Sequence, residues 1–203
     1  MTIKKYILGE LRMNSYLLVH DNECILIDPG DEAGFLLEEI SRMNLRLIAM
    51  CATHGHFDHI MAAGEVQLSL KIPLYIHKDD LFLVKRLKST VTHYLGKRAV
   101  VVQPSMIRNI NTTPLRFGNW KFRIFFTPGH TPGGVCYYLP EEQILFTGDT
   151  LFKNAVGRTD LSYSSSDKLH DSINQLIKSV PEETVIYPGH GQETTIFSEK
   201  IYF

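Results

Sequence analysis

The feature that most restricts what this chain can fold into is Thr53-His54-Gly55-His56-Phe57-Asp58-His59. It crowds three imidazoles and a carboxylate into residues 54–59, directly after the apolar run 45–52. An apolar run ending in such a cluster reads as a strand that feeds a turn. Alternate residues of an extended chain lie on one side, so His54 and His56 can close on a single ion. Once the chain turns at Phe57, Asp58 and His59 point elsewhere, towards a second ion. Imidazole suits zinc, iron and related metals, and the carboxylate adds charge and a hard oxygen ligand.

Three later islands repeat the theme. They are Thr127-Pro128-Gly129-His130-Thr131-Pro132-Gly133, Thr147-Gly148-Asp149-Thr150-Leu151-Phe152 and Tyr187-Pro188-Gly189-His190-Gly191. In each, a glycine precedes the donor, permitting a tight turn or a close backbone approach. Donors at strand ends can converge on one rim, as catalytic residues on loops over a rigid scaffold often do. His20, His77, His93 and His170 lie outside all four islands and read as structural or surface histidines.

The rest of the chain reads as alternating strands and helices. Residues 3–8, 14–20 and 24–28 suit a strand meander, broken by Asp28-Pro29-Gly30-Asp31, and 33–43 has helical spacing. A helix is expected over 60–70, a short strand over 73–77, and a helix from Asp79 and Asp80 through Leu87. Strands follow at 120–126, 135–139 and 143–146, then a helix over 166–179 and a strand over 184–187. The 85–111 segment carries Lys85, Arg86, Lys88, Lys97 and Arg98 around His93 and Tyr94. It reads as an exposed charged face, or as a loop holding an anionic substrate.

Bulk properties narrow the function classes. The length of 203 residues suits one domain spanning 1–203. A net charge of −1 gives no global field for nucleic acid, leaving only the local basic stretch for such a role. No apolar run approaches the roughly 20 residues a bilayer span needs, and the N-terminus lacks a secretory apolar core, so a cytoplasmic protein without membrane contact is expected. Cys24, Cys51 and Cys136, an odd number without a Cys-x-x-Cys pair, fit buried reduced thiols.

On its four islands, the chain resembles the metallo-β-lactamase superfamily over nearly its whole length. The resemblance implies an α+β fold, the four-layer αββα sandwich. It also implies two divalent metal ions, zinc in the first instance, or else iron or manganese. By the same resemblance His54, His56 and His130 hold the first ion, Asp58, His59 and His190 the second, and Asp149 bridges them. Asp58 and Asp149 are then the carboxylates of the catalytic centre. Asp28 is similar to the family's aspartate beneath the metal loop, which supports the site without binding metal. Two cations sharing a carboxylate can share a water and bring its pKa towards neutrality, giving hydroxide for attack on an electrophilic carbon.

Within the family, all seven donor positions, including Asp149, resemble the glyoxalase II-like hydrolases, which cleave hydroxyacyl-glutathione thioesters. A small-molecule thioester or activated ester is the expected substrate. Val156-Gly157-Arg158-Thr159-Asp160 is also similar to compact bacterial members and to persulfide dioxygenases, whose single iron corresponds here to His54, His130 and Asp149. The same donor set is compatible with metal-dependent phosphodiesterase or nuclease chemistry and with weak β-lactamase activity. Classical metallo-β-lactamases generally carry cysteine or serine where this chain has Asp149. Arg158 is a candidate contact for a substrate carboxylate, or else a member of a structural ion pair. Classical glyoxalase II carries tyrosines near the positions of Asp160 and Gln192 and a further helical domain, so glutathione recognition does not follow from the resemblance.

Overall fold

A computed structural model describes residues 1–96, 100–110 and 114–203. The chain divides into two compact units, 1–109 and 110–203. The first begins with β1 (Thr2–Leu8), β2 (Met13–His20) and β3 (Glu23–Ile27), a meander of antiparallel pairs. After α1 (Ala33–Arg42) the order of strands changes character. β4 (Arg46–Cys51) lies parallel to β3, β5 (Leu74–Ile76) parallel to β4, and β6 (Ile107–Asn109) parallel to β5. The sheet order is therefore β1-β2-β3-β4-β5-β6.

Parallel strands need crossovers, and these are α1, the pair α2 (Phe57–Ile60) and α3 (Ala63–Leu70), and α4 (Leu81–Leu95). Leu17, Leu26, Met50 and Leu74 of the sheet pack with Leu36 and Ile40 of α1, Val66 of α3, and Leu87 and Val91 of α4. Between Cys24–Leu47 and Ile25–Ala49 the β3–β4 register slips by one residue. The extra residue is Ile48, a bulge that breaks the simple alternation of β4.

This topology decides where the chemistry sits. β3, β4 and β5 run in one direction, so their C-terminal ends share one edge of the sheet. Asp28 follows β3, Thr53 through His59 follow β4, and Asp80 follows β5 through a 3₁₀ turn at Lys78–Asp80.

The second unit carries β7 (Leu115–Phe117), β8 (Trp120–Phe126), β9 (Val135–Leu139) and β10 (Ile144–Gly148), a run of antiparallel pairs. A small hairpin of β11 (Leu151–Phe152) and β12 (Ala155–Val156) precedes α5 (Ser166–Ser179), β13 (Val185–Pro188), β14 (Thr194–Thr195) and α6 (Ile196–Glu199). Its main sheet runs β14-β13-β10-β9-β8-β7. β13 lies parallel to β10, and β8, two antiparallel steps from β10, points the same way. His130, Asp149 and His190 therefore all leave the same edge. α5, capped by the Ser165 hydroxyl accepting from the Lys168 amide, packs Leu169, Ile173 and Leu176 on Phe125, Cys136, Tyr138 and Leu145.

Several expectations need correction. The helix expected over 60–70 is two helices, because the Ala62 amide turns to the carbonyls of Pro29 and Gly30, at 3.0 and 3.2 Å. The helix expected to end at Leu87 runs to Leu95, so Lys85, Arg86, Lys88, His93 and Tyr94 are helical and not loop residues. Lys97 and Arg98 lie outside the described residues. The strand at Leu115–Phe117 and the hairpin at 151–156 add to the expected elements, both being too short to show periodicity. All three cysteines are buried and free, as their apolar settings imply.

Candidate metal centre

In the first unit the expected donors meet around a buried carboxylate. Asp28, 1% exposed, follows β3 with a positive φ of 52°. Its turn is tied by its own amide to the Cys51 carbonyl at 2.7 Å and by the Ser15 hydroxyl donating to its carbonyl at 2.5 Å. The side chain accepts three hydrogen bonds: the Thr53 amide at 2.6 Å, the Thr53 hydroxyl at 2.8 Å and His59 Nδ1 at 2.9 Å. Gly30 must be glycine, since a Cβ there would run into the Asp58 backbone carbonyl.

The proton inventory follows from these partners. A carboxylate only accepts, so His59 carries its proton on Nδ1 and presents a lone pair at Nε2, 3.8 Å from Asp58 Oδ2. Thr53 has one hydroxyl proton and gives it to Asp28. Its oxygen then accepts from His54 Nδ1 at 3.1 Å, leaving the His54 Nε2 lone pair towards His56 Nδ1, 3.0 Å away. One carboxylate thus sets two imidazole tautomers, the outer-shell orientation characteristic of metal-ligating histidine. Asp80, wholly buried, accepts from the Gly55 amide at 2.8 Å and pins the loop between His54 and His56.

In the second unit, His130 Nδ1 donates to the Arg158 carbonyl at 2.8 Å, so its Nε2 also offers a lone pair. That atom stands 3.5 Å from Asp149 Oδ2, while His190 Nε2 stands 3.8 Å from Asp149 Oδ1. The His130 loop is held at three successive carbonyls. The Ser172 hydroxyl reaches Pro128, the Ser165 amide Gly129 and the Ser164 hydroxyl His130, all at 2.7–2.8 Å. The Thr127 hydroxyl lies 3.1 Å from that of Thr150, joining the turns that carry His130 and Asp149. The Gly189 amide donates to the Gly148 carbonyl at 2.8 Å, joining those of Asp149 and His190.

These residues fit divalent cations. At His130–Asp149 a nitrogen lone pair faces a carboxylate oxygen, two acceptors that only a shared positive charge reconciles. Two ligands at about 2.1 Å from one tetrahedral ion stand about 3.4 Å apart, close to the 3.0 Å of His54–His56 and the 3.5 Å of His130–Asp149.

Arg158 does not extend freely. Its guanidinium makes a two-pronged pair with Asp160, at 2.6 and 2.7 Å, and that partner holds the Asp160 carboxyl down at about 2. Its backbone carbonyl is what serves the site. His77 caps the 3₁₀ turn, and His20, His93 and His170 pair with Asp21, Tyr94 and Phe203. Sequence reasoning missed Thr53, Asp80, Ser164 and Ser172. Asp79-Asp80 reads as ordinary charge at a helix start, and the three others carry no local signal beyond turn composition.

A fold of two strand-rich units with histidine and aspartate donors at the sheet edges defines a class, and a family model agrees. The chain belongs to the metallo-beta-lactamase superfamily, whose model matches residues 8–190, and its fold is that family's α+β fold. Among curated proteins it is 33% identical over 192 residues to the probable metallo-hydrolase YqgX of Bacillus subtilis (strain 168), covering 95% of this chain and 91% of that one. It is 32% identical over 186 residues to the hydroxyacylglutathione hydrolase GloC of Haemophilus influenzae (strain ATCC 51907 / DSM 11121 / KW20 / Rd), covering 90% and 88%.

Among solved structures, the BLEG-1 B3 metallo-beta-lactamase matches with a TM-score of 0.87 at 35% identity, over 98% of this chain and 97% of that one. TTHA1623 in a di-iron-bound form gives 0.88 at 34%, over 97% and 96%. ETHE1 from Myxococcus xanthus gives 0.77 at 26%, over 98% and 82%. Membership indicates a metal-dependent hydrolase, and the di-iron relative leaves zinc as one of several candidate metals. Among the described residues no helix is long and apolar enough to cross a membrane.

Proposed function

We propose that the protein is a dinuclear metallo-hydrolase that cleaves small thioesters, in the manner of the glyoxalase II-like branch. In this reading His54, His56 and His130 hold one ion, Asp58, His59 and His190 the other, and Asp149 bridges them. Support comes from the donors that each unit gathers by itself: His54 beside His56 and Asp58 beside His59 in the first, and His130 and His190 about Asp149 in the second. The observation that carries the reading is Asp149: a carboxylate flanked by His130 Nε2 and His190 Nε2, one at each oxygen. A pair of divalent ions supplies Lewis acidity and a hydrolytic nucleophile at neutral pH.

The protein's share is orientation. Asp28 and Thr53 keep the Nε2 atoms of His59 and His54 free of protons, and the Arg158 carbonyl does the same for His130. In thioester hydrolysis, water adds to the acyl carbon and the C–S bond breaks. The sulfur leaves as thiolate with the electron pair of that bond, one proton of water is released, and the other stays on the carboxylic acid product until it ionises at neutral pH. A thiol of pKa about 8.5 leaves without a donated proton, whereas an amine does not. The GloC relative favours the same substrate class.

The test is metal content measured together with kcat/KM across a thioester, a matched amide, a lactam, a phosphodiester and a persulfide. Two ions per chain with the thioester fastest is expected; a phosphodiester or lactam preferred over every thioester would overturn it. A second reading, persulfide oxygenation at a single iron on His54, His130 and Asp149, rests on the resemblance of Val156-Gly157-Arg158-Thr159-Asp160 to persulfide dioxygenases, and the di-iron-bound relative keeps iron among the candidate metals. One iron per chain with oxygen consumed on persulfide would replace the first reading.

A further inference from the structure

The hairpin of β11 and β12 follows Asp149 directly, and its two-residue turn is Lys153-Asn154. This turn is built from beneath. Glu199 of α6 is 1% exposed, and burying a carboxylate is costly unless its oxygens are hydrogen-bonded. One Glu199 oxygen accepts from the Asn154 amide at 2.9 Å, the other from the Thr194 hydroxyl at 2.5 Å. Asn154 takes a positive φ of 59°, and its side-chain oxygen accepts from the Tyr202 hydroxyl at 3.2 Å. A buried acid, a left-handed residue and a phenol thus fix a two-residue exposed turn.

Fixing the turn positions Lys153. Its ammonium donates to the side-chain carbonyl of Gln192 at 2.9 Å, and Gln192 lies two residues past His190. On the other side, the ring of Phe152 lies 6.3 Å from that of His190. Lys153 is therefore moored to the segment of the most exposed donor of this unit, whose side chain is 30% accessible. The mooring group is a neutral amide, which orients the ammonium, and among the described residues no carboxylate forms an ion pair with it. Arg158 differs: its guanidinium is matched by the Asp160 carboxylate in a two-pronged pair.

We infer that Lys153, oriented by Gln192, is a specificity residue that receives an anionic group of the substrate, a carboxylate on the thiol portion, at the His190 side of the site. The inference rests on the thioesterase reading. It shifts recognition of the anion from Arg158 to Lys153.

The test uses the metal-loaded protein and two thioesters of one acyl group, on N-acetylcysteamine (neutral) and on 3-mercaptopropionate (carboxylate). The quantity read is the ratio of kcat/KM, carboxylate over neutral. Lys153→Met should lower it about fivefold, the scale of one exposed charge contact, with the change carried by KM. Lys153→Arg should keep most of the ratio, and Lys153→Glu should lower it further. An unchanged ratio in Lys153→Met and Lys153→Glu would overturn the assignment. Failure of wild-type protein on both thioesters would instead defeat the thioesterase reading. Binding of 3-mercaptopropionate against 2-mercaptoethanol, measured by calorimetry on metal-loaded wild type and Lys153→Met, then decides. A fivefold loss confined to the carboxylate thiol sustains the role of Lys153, and equal losses end it.

Discussion

The substitution Asp28→Asn tests the proton inventory with almost no change of shape. Asparagine tolerates the positive φ of 52° at this position. The Thr53 amide, 2.6 Å from Oδ1, forces the new amide oxygen to that side, because an NH2 group there would meet another donor. The NH2 group then replaces Oδ2 and donates to Thr53 Oγ1 and His59 Nδ1, which now must accept. His59 moves its proton to Nε2. Thr53, no longer giving its proton to residue 28, gives it to His54 Nδ1, and His54 also moves its proton to Nε2.

Three hydrogen bonds survive, two with direction reversed, so the metal-free protein should lose no more than about 1–2 kcal/mol, the difference between charged and neutral acceptors. Metal affinity should fall much further. Loss of one outer-shell partner costs about 10–100-fold, and here two imidazoles are rewired. About 100-fold, or about 2.8 kcal/mol, is therefore expected. Chelator competition on wild type and Asp28→Asn measures the affinity. Long-range proton–nitrogen NMR of the imidazoles reads the tautomers directly. Affinity within twofold of wild type, with His59 still protonated at Nδ1, would refute the reasoning.

Asp149→Ala should lose about a hundred- to a thousandfold in kcat at matched metal loading, the scale of a principal electrostatic group; near-wild-type turnover with both ions retained would contradict the proposed bridging role. Gly157→Ala should cost about 1–3 kcal/mol and lower metal content. Its Cβ would overlap the Asp149 carbonyl oxygen and lie 3.2 Å from His130 Cβ; thermal melting with metal analysis checks both. Cys24 is pushed up to about 12, by burial and then by the Glu23 charge, so it stays a neutral thiol in the fold. An unfolded thiol ionises near pH 8.5, so stability should fall as pH rises from about 8.5 towards 12, seen as a declining denaturation midpoint. Native protein at pH 8 should react slowly with a disulfide reagent at all three buried cysteines, and fully once unfolded.

Much of the candidate site is legible in the sequence alone. His54, His56, Asp58 and His59 end one apolar run, and Gly129, Gly148 and Gly189 each precede a donor; a Cβ at Gly129 would run into Leu169, and Gly148 takes a positive φ of 51°. Strands such as Trp120–Phe126 and Val135–Leu139 and the helix Ser166–Ser179 are also readable, since each buries one periodic face. Tertiary structure alone decided the rest. The break between α2 and α3 comes from Pro29 and Gly30, distant in sequence from Ala62. Whether Arg158 offers its side chain or its backbone depends on Asp160 and His130. The tautomer of His59 depends on Asp28 directly, and that of His54 on Asp28 through Thr53, 25 residues away in sequence. Residue type and spacing declare which atoms can bind a metal. Where each proton rests is set by hydrogen-bond partners, and those are chosen by the sheet order that brings β3 beside β4.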